Sequence, residues 1–347
     1  MKLIKPNINI KVKATSTYIP EEFEYSNLDI LDIHSSTRIL PKFAKKKLAS
    51  SIEKKFGFEK RYMIRKPGDD SQSIDKLSCE EMSSLCLKKC FNNSSEDIGY
   101  FIMGTTTSSR YTGSQATSVL STIGQYSPAV EMMAGCSTSL ASLYTGIMAL
   151  QSGHDNVMIV CSETMSKIVN PKIRETWFGL ADGSASLWLE SNDIDPDFKV
   201  LGMIFGTNGE HVDMYTTQGK FPPNQKDLDS GGYVLAGDGD KLRELSLKYY
   251  GEMIEHFKES FNLDEIDYLI PHQVNNSIIT EFVDTHFKGI DIRVLKNNKE
   301  IGNIGGTSVL FSLCDSIQKD TFKKGDKVLM MSVGGGLSFS MQLWEKL

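Results

Sequence analysis

Ala129–Glu163 reads AVEMMAGCSTSLASLYTGIMALQSGHDNVMIVCSE, and its pattern is that of a strand, a tight turn carrying Cys136, a helix and a second strand. Ala129–Met133 is a short apolar run, and Ala134-Gly135 is small enough for a sharp corner. Ser137, Thr138 or Ser139 can cap a helix in which Leu140, Leu143, Tyr144, Ile147 and Leu150 recur at the spacing of one buried face. A thiol at a helix N-terminus feels unpaired backbone N–H groups and the positive end of the dipole, which favour thiolate and lower its pKa. Cys136 is therefore placed as a nucleophile is placed. A small buried core residue, the commoner role of a free cysteine, fits the same residues, and this stretch alone leaves both readings open.

Working outward, the same design returns about 170 residues later. Asp97-Ile-Gly-Tyr-Phe-Ile-Met-Gly104 matches Glu265-Ile-Asp-Tyr-Leu-Ile-Pro-His272, an acidic-led strand. Gly135–Leu140 matches Gly302–Ser308, each a small-residue turn opening an apolar-faced helix, with Cys136 opposite Asn303. Gly153–Val160 matches Gly325–Met331, a Gly-Asp or Gly-His turn entering a strand. Three matches in one order imply a duplication, with halves at 1–190 and 191–347. Strands alternating with helices predict an α/β fold of parallel sheets flanked by helices. In such sheets the chemistry gathers beyond the carboxyl ends of the strands, so Cys136, His272 and Asn303 are expected to meet in one pocket. Residues 206–236 read as a long excursion loop able to cover that pocket or support a subunit interface, and Thr105–Gly113 as a second polar loop.

At 347 residues and 40% hydrophobic content the chain can bury a large core. No continuous apolar segment spans a membrane, and the start, MKLIKPNINIKVK, reads as a first strand and not a signal peptide. Six cysteines without regular spacing predict reduced thiols in a cytoplasmic protein. Cys86 and Cys90 share a helix face, but no neighbouring Cys/His pair completes a metal site. A net charge of −6 argues against nucleic-acid binding. Between Lys42 and Lys66, however, ten basic residues stand against Glu53 and Glu59, so that segment carries +8 and the remainder −14. Such a patch suits an acidic or phosphate-bearing partner and equally a solvated helix face.

His272 follows an apolar strand and a proline in Ile270-Pro-His-Gln-Val-Asn275, a rigid setting for a residue that can accept or donate a proton. Asn303 sits in Gly302-Asn-Ile-Gly-Gly306 and can donate a hydrogen bond without titrating. Val333-Gly-Gly-Gly-Leu337 offers backbone N–H groups to a developing oxyanion. The other histidines (His34, His154, His211, His256 and His286) lack such settings and read as structural or surface groups.

Cys136 in a strand-turn-helix, IPHQxN at 270–275, GN with small residues at 302–308 and GGGLS at 334–338, in that order, resemble the thiolase-fold ketoacyl synthases, nearest the β-ketoacyl-acyl-carrier-protein synthase III branch. The resemblance runs nearly end to end, from Tyr18-Ile-Pro20 through Gly57-Phe-Glu-Lys-Arg61 and Thr105–Thr107 to the last strand. It implies two duplicated βαβαβ halves in a layered α-β-α-β-α sandwich. It further implies a Cys136–His272–Asn303 site, with Cys136 as nucleophile and the N–H groups of Cys136 and Gly335 as oxyanion hole. The reaction implied is decarboxylative condensation of a Cys-bound acyl group with a malonyl thioester. No metal or redox cofactor is implied, only thioesters on coenzyme A or a phosphopantetheine arm. The partners implied are acyl-carrier protein or acyl-coenzyme A and a second copy of the chain, into whose pocket the loop carrying Tyr111 reaches. Lys55, Arg61, Arg174 and Asn275 are the residues matched to substrate or carrier contacts.

The sequence departs from that family where coenzyme A is gripped. Ser51 stands for a tryptophan, Lys55 for an arginine, and Ser277 for the basic residue used in carrier docking. A specialised member is expected, fed by acyl-carrier protein or an unusual acyl-coenzyme A. An acyltransferase on the same fold, with His272 as general base on an alcohol or amine, is the competing reading. A non-catalytic partner subunit is a third.

Overall fold

Along Asn156–Thr164 every residue is buried, and the two faces part with period two: Val157 and Ile159 enter one hydrophobic cluster, Met158 and Val160 another. A strand apolar on both faces must be covered on both, which sets a layered architecture. The same holds for Lys327–Gly334, where Val328 and Met330 point one way and Leu329 and Met331 the other. The structure is a computed structural model and describes residues 1–66, 77–170 and 173–347.

Ten strands form the main sheet: β1 (Ile8–Tyr18), β2 (Tyr100–Gly104), β3 (Ala129–Met132), β4 (Asn156–Thr164), β5 (Asp182–Ser191), β6 (Phe198–Thr207), β7 (Tyr268–Pro271), β8 (Arg293–Val294), β9 (Lys327–Gly334) and β10 (Ser338–Lys346). Their order is β8-β7-β9-β10-β6-β1-β5-β4-β2-β3. Each half contributes five, and the order is a palindrome: β2 corresponds to β7, β3 to β8, β4 to β9, β5 to β10 and β1 to β6. The halves join through the antiparallel pairs Ile8–Val200, Asn9–Lys199 and Ile10–Phe198. The sheet is mixed, not wholly parallel. Only β3-β2-β4 and β8-β7-β9 run parallel, because β5, β1, β10 and β6 follow their predecessors antiparallel.

Helices α2 (Cys79–Phe91) and α3 (Gln115–Ser121) cover the outer face of the first half. Helices α5 (Gly239–Lys258) and α6 (Asn276–His286) cover that of the second. Between the halves lie α4 (Thr138–Gln151) and α7 (Ser308–Gln318), which touch each other and strands of both halves. Leu140, Leu143, Ile147 and Leu150 of α4 and Val309, Leu310 and Leu313 of α7 form the central cluster. The five-layered thiolase-like sandwich is thus in place. Equivalent helices start 170 residues apart, so the structural counterpart of Cys136 is Gly306, not Asn303 as the sequence alignment had it. Among the described residues no helix is long and apolar enough to cross a membrane.

The basic segment divides on folding. It forms α1 (Lys42–Phe56), on which Lys42, Lys46, Lys47, Lys54 and Lys55 stay exposed. Lys45 turns inward to Asp32 at 2.5 Å, and Lys60 pairs with Glu24 at 2.9 Å. Arg61, matched to a carrier or substrate contact, is fully buried. It donates to the carbonyls of Tyr25 and Phe178 and to Asn27 Oδ1, so it fastens the Tyr25–Asn27 segment to the helix Arg174–Gly179. Burial pulls its pKa down to about 9, with the charge of Asp29 working in the other direction. Hydrogen bonds from a charged donor contribute roughly 1.5–3 kcal/mol. Arg61→Met is expected to lower unfolding free energy by about 3 kcal/mol in urea titration; unchanged stability would contradict this role.

Candidate active site

Cys136 lies in the 3₁₀ turn Gly135–Ser137, which leads from β3 into α4. Gly135 has φ +53°, and a Cβ there would collide with the Gly335 carbonyl oxygen, so the corner requires glycine. Gly334 lies so near Cys136 that a Cβ would strike its backbone, and a Cβ on Gly306 would come within 2.7 Å of Gly135 O. Three turns, from the ends of β3 and β9 and the start of α7, therefore meet backbone to backbone. None of Ser137, Thr138 or Ser139 caps α4 through a helix N–H. Thr138 Oγ1 instead donates to Gly135 O at 2.7 Å and accepts from Ala134 N–H at 3.0 Å, while Ser139 Oγ donates to Gly306 O. The hydroxyls brace the nucleophile turn.

A cavity of about 1090 Å³ is lined by Cys136, His272 and Asn303 together, along with Thr106, Phe205, Val333, Gly335 and Ser338. The three residues predicted to converge do so. His272 follows β7, its N–H bonded to Met331 O at 2.8 Å. Its ring is buried, Nδ1 has no hydrogen-bond partner among the described residues, and burial pulls its pKa to about 4, which keeps the imidazole neutral near pH 7. Asn303 is not at a strand end; it follows the short helix Asn298–Ile301 and is pinned by backbone bonds to Gly179 and Ala181 at 2.7 and 2.9 Å. Its Oδ1 accepts from Ser308 Oγ at 3.2 Å, which turns the amide so that Nδ2 is left for the cavity.

The Cys136 thiol differs from the sequence expectation. Burial, followed by the charge of Glu163, pushes its pKa up to about 12, against which the N–H groups of Gly335 and of Cys136 itself work in the other direction. The helix end is outweighed because the half-buried sulfur at the cavity wall is poorly hydrated and feels the charge of a nearby carboxylate. Those two N–H groups are the pair expected to form the oxyanion hole.

Of the matched substrate residues, Lys55 and Asn275 line the cavity. Asn275 caps α6, its Oδ1 accepting from Ile278 N–H at 3.1 Å. Tyr111 is exposed, packs on Phe221 at 5.4 Å and is absent from the lining. The side chain of Arg174 lies outside the described residues. The excursion covers the pocket, as Val212, Tyr215, Thr216, Thr217 and Leu235 line it. Sequence reasoning missed Glu163 and Asp182. Burial pushes their carboxyls up to about 7 and about 6. An acid near the end of an otherwise apolar strand, as in Val-Cys-Ser-Glu163, was the available signal.

His272 sets a testable pH dependence. Its folded pKa of about 4 lies below the ordinary 6.5, so below pH 6.5 the unfolded chain binds a proton that the folded chain refuses. Its contribution, about 3 kcal/mol, is present at neutral pH and lost as pH falls from about 6.5 to about 4. Glu163 and Asp182 act with the opposite sign, losing their contribution as pH rises through about 7 and about 6. The difference between wild type and His272→Gln isolates the imidazole. The variant is expected to gain relative stability as pH drops through that window, and parallel curves would contradict a buried neutral His272.

Comparison with known proteins agrees with this geometry. The family model "3-oxoacyl-[acyl-carrier-protein (ACP)] synthase III" matches residues 130–209, and its C-terminal companion matches 257–346. A β-ketoacyl-[acyl-carrier-protein] synthase III of Clostridium perfringens is 29% identical over 306 residues, 84% of this chain and 89% of that one. The solved 3-oxoacyl-(acyl carrier protein) synthase III of Pseudomonas aeruginosa superimposes with a TM-score of 0.80 at 17% identity, covering 97% of this chain and 98% of that one. The priming β-ketosynthase of the R1128 polyketide pathway gives 0.79 at 18%, covering 99% and 98%. The chain belongs to the β-ketoacyl-[acyl-carrier-protein] synthase III-like branch of the thiolase-fold ketoacyl synthases and is an enzyme of that acyltransferase type.

Proposed function

We propose that the chain joins two thioesters by decarboxylative Claisen condensation. Cys136 attacks an acyl thioester, displaces its thiol and holds the acyl group covalently. A malonyl thioester then binds with its carbonyl facing His272 and the free Nδ2 of Asn303; a β-ketoacyl thioester in its place has no carboxylate to lose and would have to give up an α-proton instead. The C–C bond to the departing carboxylate breaks, carbon dioxide leaves, and the electron pair passes into an enolate stabilised by those two donors. The carbanion attacks the acyl carbon, the N–H groups of Cys136 and Gly335 receive the oxyanion, and the C–S bond breaks to free the product. The observation that carries this reading is the Asn303 amide, its oxygen engaged by Ser308 and its donor nitrogen left free, lining the same cavity as a neutral imidazole. An imidazole whose pKa is near 4 is a poor base for an alcohol or amine, which weighs against plain acyl transfer.

Asp238 and Asp240 line the cavity beside Lys55 and Arg243, and Ser51 is exposed where a tryptophan would cover adenine. These features favour an acyl-carrier protein over coenzyme A as donor. The exposed lysines of α1 suit its acidic surface. We place the enzyme in a specialised fatty-acid or polyketide pathway, working without metal or redox cofactor. A cytoplasmic location accords with six free thiols. A homodimer is favoured by the edge strand β3, which pairs only with β2 among the described residues, and by the exposed Tyr111–Phe221 pair. In that assembly Tyr111 would help shape the neighbouring pocket.

The test uses carboxyl-labelled malonyl thioester. Labelled carbon dioxide is expected to be released with product, and Asn303→Ala is expected to slow release by roughly 10²–10³-fold while the acyl–Cys136 adduct still forms. Product without carbon dioxide would replace this reading with acyl transfer.

A further inference from the structure

Glu163, the penultimate residue of β4, is fully buried and takes no part in the steps above. Thr107 Oγ1 donates to its Oε2 at 2.7 Å, Thr106 Oγ1 to its Oε1 at 2.9 Å, and Thr106 N–H to both oxygens at 3.1 and 3.0 Å. The Gly306 N–H adds a further donor. Burial and these donors dominate its ionisation, with no cation among them. The point where a Cβ on Gly306 would stand lies 2.9 Å from Glu163 Oε1 and 2.7 Å from the carbonyl oxygen of Gly135, the residue before the nucleophile. Thr106, whose hydroxyl holds Oε1, lines the catalytic cavity. A buried carboxyl that ionises at about pH 7 therefore stands beside the Cys136 turn, and the Thr106 hydroxyl that bonds it belongs to a residue of the cavity wall.

The other titratable groups facing the pair are Cys79 of α2, Cys161 of β4, Tyr250 of α5 and His272. Burial keeps all four neutral near pH 7. Forming a thiolate beside the Glu163 carboxylate would put two negative charges into a water-poor site. Moving the thiol proton onto the carboxylate keeps the total at one.

We propose that Glu163 is the proton store for Cys136. As the sulfur attacks, its S–H bond breaks, the Thr106 hydroxyl takes that proton and passes its own to Glu163 Oε1. When the substrate's thiolate departs, the reverse transfer returns a proton to it, so none is lost to solvent. Glu163 acts through Thr106 and is a positioning residue. Its carboxyl at about 7 is a far better acceptor than His272 at about 4.

The inference rests on Cys136 being the nucleophile. It is tested with iodoacetamide, which needs no acyl substrate, so its failure leaves the condensation reading standing and the labelled-malonate assay tests that separately. Cys136 alkylation, followed by peptide mass, is measured from about pH 5.5 to about 9.5. In wild type the rate is expected to rise roughly tenfold per pH unit up to about 7 and then level off, because the reactive pair and the resting pair hold the same number of protons above that point. Glu163→Gln is expected to remove the plateau, so that the rate climbs roughly tenfold per unit throughout, and Glu163→Asp to restore it. A wild-type rate that climbs straight through pH 7, one already flat at pH 5.5, or a plateau that survives in Glu163→Gln overturns the proposal. Should the glutamine variant fail to fold, the wild-type curve decides alone.

Discussion

The catalytic turn exists because three backbones approach more closely than side chains would allow. Gly135, Gly306 and Gly334 belong to the turns after β3, before α7 and at the end of β9, and a Cβ on any of them would strike one of the other two turns. The duplicated halves are thereby locked at the place where their equivalent elements meet. Ser139 bonding Gly306 O and Ser338 bonding Ala134 O tie the turns laterally. Everything that positions Cys136 against His272 and Asn303 depends on that closeness. It also explains why glycines and small hydroxyl residues crowd the 134–139, 305–308 and 334–338 segments.

A consequence of such packing is exclusion of water, and the electrostatics follow. Thiol, imidazole and carboxyl are each driven toward their neutral forms by burial, so the site rests with little charge. Fixed dipoles then do the stabilising: the N–H groups of Cys136 and Gly335 at the sulfur and the amide of Asn303 held by Ser308. Donors set in place before the reaction do not have to reorganise as charge develops, and in a water-poor cavity they act at greater strength.

Much of this was legible in the sequence because the duplication repeats local signals in order. The strand, corner and helix of 129–151 follow from apolar spacing and a Gly, and β4 and β9 from unbroken apolar runs. The convergence of Cys136, His272 and Asn303 followed from the fold rule for strand ends and from the resemblance of four ordered motifs. What escaped were properties set by tertiary burial. Arg61 looked like a contact residue and proved a buried brace, and Lys45 and Lys60 of the basic segment were spent on internal ion pairs. The Cys136 thiol looked acidic from its helix position, but desolvation and Glu163, brought in from β4, reverse the sign. The 167-residue offset chosen for Cys136 and Asn303 was three short, since small residues on both sides of the turn make its register ambiguous.

The central claim is that one sulfur, Cys136, accepts the acyl group in a cavity closed by both halves. Intact-protein mass spectrometry after incubation with a panel of acyl thioesters, followed by peptide mapping, tests it most directly. The account predicts a single acyl increment that maps to the Cys136 peptide and vanishes in Cys136→Ala. No adduct with any thioester, or an adduct on another residue that persists in Cys136→Ala, would contradict it.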